Sequence, residues 1–139
     1  MPTVQKSLRM SDTLAQAITD AAEATGRDFS SVATELLSEA IAIRQCPGIA
    51  FMDGATGRRA ILAGTGLDVW EVVYAYEHLD RSFAALRHAF SHLTEPQLRA
   101  ALSYAVRYPE DIRRRIMAND AWTPERLARE LPIFVPPSA

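Results

Sequence analysis

Hydrophobic and polar positions follow two spacings along the chain. Residues 3–10, Thr-Val-Gln-Lys-Ser-Leu-Arg-Met, predict one short strand. Behind Ser11, a good helix cap, Leu14, Ala17, Ile18 and Ala21 recur at helical spacing, and Gly26 supplies the stop. A second helix starts near Asp28–Ser31 and ends at Cys46-Pro47-Gly48. It puts Val32, Leu36, Ala40 and Ile43 on one stripe and Ala33, Leu37 and Ile41 on an adjacent one, a wider apolar arc than a monomeric surface helix needs. Residues 49–63 predict a hairpin, with Ile49-Ala50-Phe51-Met52 and Arg59-Ala60-Ile61-Leu62 flanking a turn-rich Asp53–Gly57. Helical patterns follow at Asp68–Leu79, Ser82–Ser91, Thr94–Arg107 and Pro109–Ala118, with Asp68, Ser82 and Thr94 as caps. A last helix, Pro124–Glu130, leads into an apolar, Pro-rich end expected to be extended.

These elements predict a mostly α chain in three parts: residues 1–46, residues 47–119, and a C-terminal helix and tail over residues 120–139. The first part is strand, helix, helix. A lone strand leaves its backbone groups unpaired on both edges, and so short a unit buries little core. Pairing two copies cures both defects, so a homodimer is expected.

Composition narrows the classes. With 139 residues, 48% hydrophobic and 23% charged, the chain reads as an ordinary globular protein. No apolar run approaches the ~18–20 residues of a membrane span, and residues 1–6 do not open a signal peptide. The single Cys46 excludes an internal disulfide. A cytoplasmic protein without a membrane role is therefore expected. The net charge of −2 lies entirely in residues 1–46 and taken alone argues mildly against nucleic acid.

The strand modifies that argument. Alternation puts Gln5, Ser7 and Arg9 on one face and Lys6, Leu8 and Met10 on the other. This strand, the capped helix, Gly26-Arg27 and a helix opening with Ser30-Ser31 resemble the ribbon-helix-helix family of Arc-, CopG- and MetJ-like repressors. The resemblance implies an intertwined dimer whose two-stranded antiparallel ribbon enters the major groove. Gln5, Ser7 and Arg9 fall on the family's base-reading positions. By the same resemblance the start of the second helix at Phe29, Ser30 and Ser31 grips phosphate, and Thr3 and Lys6 are further phosphate candidates, Lys6 by snorkelling to the ribbon edge. Lys6 stands where the family is usually apolar, and Asp28 puts a carboxylate beside the phosphate clamp. A ribbon serving dimerisation alone is the other reading.

Residues 57–69, Gly-Arg-Arg-Ala-Ile-Leu-Ala-Gly-Thr-Gly-Leu-Asp-Val, and residues 92–105, His-Leu-Thr-Glu-Pro-Gln-Leu-Arg-Ala-Ala-Leu-Ser-Tyr-Ala, resemble a family of unknown function (number four-three-three) commonly described as VapB-type antitoxin. That resemblance implies a β-hairpin followed by a helix-turn-helix-like bundle over residues 49–115. Gly66 and Ser91 replace the Arg and Pro usual in that family. Val69, Val72, Val73, Tyr76, Phe83, Leu86, Phe90, Leu98, Ala101, Leu102 and Ala105 are expected to face inward. Gln97, Arg99 and Ser103 are the base readers available on the third helix. The two resemblances together imply a DNA-binding antitoxin that represses its own promoter and neutralises a PIN-domain ribonuclease toxin. Candidate toxin contacts are Arg126, Arg129, Leu131, Ile133, Phe134 and Val135. The alternative is a free-standing ribbon-helix-helix regulator without a toxin.

Enzyme readings find less support. Gly64-Thr65-Gly66 lacks the further glycine or the Gly-Lys-Ser/Thr of a phosphate loop and reads as a turn. His88 and His92 share a helix face, but Ala89 stands where a metalloprotease motif needs a glutamate, and no third ligand is nearby. Glu110 and Asp111 with Arg113, Arg114 and Arg115 read as a solvated face of local ion pairs. Cys46 has no neighbouring His to activate it. No cofactor or metal is expected, and the chain is read as a non-enzyme.

Overall fold

The computed structural model describes residues 2–131. Among these it has seven helices and one two-stranded antiparallel sheet. No helix among the described residues is long and apolar enough to cross a membrane. The chain divides within its second helix into two compact units, Met1–Ile41 and Ala42–Ala139.

In the first unit, α1 (Asp12–Thr25) begins on Ser11, whose side chain accepts the Leu14 N–H at 3.1 Å. It ends at Gly26, whose left-handed φ of 65° lets the chain reverse. The second helix, α2, spans Phe29–Gln45. The core of this unit is small: Ile18, Ala22 and Val32, with Met10, Ala21 and Ala33 half-buried around them. Leu14, Leu36, Leu37 and Ile41 remain exposed, Leu37 by 55% and Ile41 by 52%. The wide apolar arc is present, and the other described residues leave it about half uncovered.

Residues 2–10 form neither helix nor strand, so the strand expected over residues 3–10 is absent from the single chain. The reason is pairing. A strand is held by hydrogen bonds to a neighbour, and the two strands described pair with each other mid-chain.

The second unit starts at Ala42, ahead of the division expected at Cys46-Pro47. Ala42 and Cys46, at 3% and 1% exposure, belong to its core. Here β1 (Ile49–Gly54) pairs with β2 (Gly57–Leu62) in a register that runs from Ile49↔Leu62 to Gly54↔Gly57. Only Ala55 and Thr56 remain for the turn, tighter than the five-residue turn the sequence suggests. Glycine permits this: Gly57 takes φ 108°, and a Cβ on Gly54 would meet the Arg59 side chain at 3.0 Å.

The remaining helices are α3 (Val69–His78), α4 (Phe83–Ala89), α5 (Glu95–Arg107), α6 (Pro109–Asp120) and α7 (Pro124–Glu130). Ser82 caps α4 and Thr94 caps α5. The core lies among the sheet, α3, α4 and α5, where Leu62, Val69, Val72, Leu86 and Leu98 are fully enclosed. Most of the residues expected to face inward do so, with Tyr76, Phe83, Phe90, Leu102 and Ala105 half-buried at its margin. α7 has no fully buried side chain.

Candidate nucleic-acid interface

The residues expected to read bases, Gln5, Ser7 and Arg9, are all exposed, as are Thr3 and Lys6. In the single chain they lie along an irregular segment, so no face of a strand gathers them. Lys6 and Arg9 meet no carboxylate among the described residues. Arg27, by contrast, is tied to Glu35 at 2.9 Å. The free cations of this unit therefore sit on the N-terminal segment, beside Val4 and Leu8, which are 79% and 68% exposed.

The start of α2 is more constrained than its sequence suggests. Asp28 Oδ1 accepts the Ser31 N–H at 2.8 Å, and Asp28 Oδ2 accepts the Ser31 hydroxyl at 3.1 Å. These bonds, the Ser31 amide foremost, hold the Asp28 carboxyl below the ordinary range. An anion at this helix end would compete with Asp28 for the Ser31 N–H and, to a lesser degree, for that of Ser30, while the Phe29 N–H stays in the first turn without an intrahelical acceptor.

On the C-terminal side, Arg126 is already engaged. Its Nε lies 3.2 Å from Glu130, and its guanidinium sits 4.3 Å from the Trp122 ring centroid. Arg129 is 72% exposed and 3.5 Å from the same Glu130. Leu131 is exposed, whereas Ile133, Phe134 and Val135 lie outside the described residues.

The second unit offers few free base readers. Arg99 is bound to Glu95 at 2.8 Å and stacks over Phe83, and Gln97 closes the capping box with Thr94 at 2.8 Å. Gly64-Thr65-Gly66 is a tight turn, its Thr65 hydroxyl donating to the Leu62 carbonyl at 2.8 Å and accepting from the Leu67 N–H at 3.0 Å. His88 and His92 are exposed, and no group of three potential metal ligands occurs among the described residues.

Two contacts escaped sequence reasoning. Tyr104 is buried and donates its hydroxyl to Asp111 Oδ2 at 2.8 Å. Asp68, the only buried charged side chain among the described residues, takes Arg59 and the Trp70 indole N–H, the latter at 3.1 Å. No local signal in the sequence pointed to these partners.

Comparison with protein-family models, with curated proteins and with solved structures finds no match for this chain. Its function rests on the arrangement of its own residues.

Proposed function

We propose that the protein is a dimeric, sequence-specific DNA-binding antitoxin of the ribbon-helix-helix type, which represses its own promoter and neutralises a PIN-domain ribonuclease toxin. The observation that carries this reading is the pairing of two exposed features in one small unit. An uncovered apolar face on α1 and α2 adjoins an N-terminal segment whose cationic side chains meet no carboxylate among the described residues. Both defects vanish together when two copies associate. The two segments then form the antiparallel ribbon, Gln5, Ser7 and Arg9 align on one face, and the helices bury Leu36, Leu37 and Ile41. Lys6 and Arg9 are doubled on that surface, so the local field is positive although the chain carries −2.

DNA recognition is tested by salt-titrated binding to the DNA upstream of the protein's own gene. Arg9→Ala should weaken specific binding by about 1–3 kcal/mol and relax the preference at one base. Lys6→Ala should mainly flatten the salt dependence. Parental behaviour of both variants rejects the reading.

A regulator without a toxin is the second reading. It is favoured by Arg126, which is held by Glu130 of its own helix and by the Trp122 ring that precedes it rather than presented to a partner. Co-expression with the neighbouring open reading frame separates the two readings: only an antitoxin rescues growth from a nuclease encoded there.

A further inference from the structure

Both tryptophans of the chain, Trp70 and Trp122, line a single open cavity in the second unit. It measures about 270 Å³, and Arg59, Arg115, Asp68 and Asn119 share its wall. Trp70 stands in the first turn of α3, and Trp122 follows the end of α6. Trp122 is 45% exposed, and Arg126 covers only one ring face. A large amphipathic ring kept partly in water is a common sign of a contact yet to be made.

The two arginines are incompletely matched. Arg115 donates Nε to Asp111 at 3.3 Å and Nη2 to the Arg58 carbonyl, which leaves Nη1 without an acceptor among the described residues. Every fully buried side-chain nitrogen and oxygen among those residues has a partner, so this Nη1 reaches solvent although the side chain is only 14% exposed. Arg59 donates one Nη to Asp68 and the other to the Met52 thioether at 3.1 Å, a weak acceptor. The Asp68 carboxylate is already matched by Arg59 and the Trp70 indole. Asp68 and Asp111 are the carboxylates on these arginines, and with Arg114 also on Asp111 three guanidinium groups meet two carboxylates, a local excess of one positive charge.

We propose that this cavity binds a nucleotide, its base stacked on indole and its phosphate held by Arg115 and Arg59. Stacking and a charge-assisted phosphate contact are the two attractions this set of side chains supplies. A volume near the lower end of small-molecule pockets, ~300–1,000 Å³, suits one nucleotide unit at a time. The same chemistry occurs in a free mononucleotide and in one unit of a single strand.

Intrinsic fluorescence reads the site directly, because the chain's only tryptophans line it. The full chain is titrated with AMP, GMP, CMP and UMP, and separately with adenosine, inorganic phosphate and short oligonucleotides. At least one mononucleotide should give a saturable change, with adenosine and phosphate about tenfold weaker or more, the loss of one attraction each. A strand that binds far more tightly than its mononucleotide marks nucleic acid as the source; equal binding marks the free nucleotide. Arg115→Lys and Arg59→Lys, each checked for an unchanged far-ultraviolet spectrum, should weaken binding by about tenfold, because a point charge replaces the fork. Trp122→Phe leaves Trp70 as sole reporter and should still saturate. No saturable change with any mononucleotide or oligonucleotide overturns the proposal. So does phosphate binding as well as the mononucleotides, or undiminished affinity in whichever lysine variant keeps its fold.

Discussion

Asp28 caps α2 through Ser31, accepting its backbone N–H at 2.8 Å and its hydroxyl at 3.1 Å. In the proposed DNA complex a phosphate at this helix end would draw on the same N–H, so capping and phosphate binding would compete for one donor. Asp28→Asn keeps a capping oxygen and removes the charge. It should tighten DNA binding and steepen its salt dependence, measured by anisotropy across a salt series. Unchanged binding would remove α2 from the interface.

The lowered Asp28 pKa also has a pH signature. The capping contribution is present above the ordinary aspartate value of 3.8 and fades as the pH falls through the lowered one. Acid unfolding followed by circular dichroism should therefore begin at higher pH in a Ser31→Ala variant, which loses the hydroxyl contact. Coincident curves would mean that the cap does not couple to folding.

Leu37 and Ile41 should hold the dimer. Each leaves about half of a large aliphatic residue in water in the single chain, and covering that half is worth roughly half of the ~1.5–3 kcal/mol of full burial. Leu37→Glu with Ile41→Glu should convert the sedimenting species to monomer and abolish operator binding. A dimer that survives both substitutions must use another surface.

Tyr104 should anchor α5 to α6. Burial, then the bond to Asp111 and its charge, push the Tyr104 hydroxyl above its usual value of 10.0. The neutral form is the folded one, so this contribution is complete below that value and lost as the pH rises beyond it. Tyr104→Phe should cost about 1 kcal/mol at neutral pH in urea titration and blunt the alkaline loss of stability. Equal alkaline sensitivity in both proteins would place the titrating group elsewhere.

If the C-terminal arm engages a toxin, truncation after residue 122 should abolish neutralisation while leaving operator binding intact. Growth rescue and DNA binding measured on the same variant separate the two activities.

Caps and turns were legible because their signals are local. Ser11, Ser82 and Thr94 each bond an amide three residues on, Gly26 reverses the chain where it stands, and α7 begins and ends where its Pro and Glu predicted. The hairpin was legible for the same reason, apart from the tightness of its turn. The expected DNA-reading segment was legible as residue types but not as structure, since a strand needs a neighbour that the single chain does not supply there.

What chain order left open are contacts between residues far apart along it. Nothing near Tyr104 or Trp70 in the sequence announces Asp111 or the cavity shared with Trp122. Ala42 and Cys46 look like the end of the first unit, yet packing assigns them to the core of the second. Spacing along a helix or strand follows from backbone geometry and can be counted off residue by residue. Which buried faces meet depends on how several elements fill one volume, and that is settled when they pack.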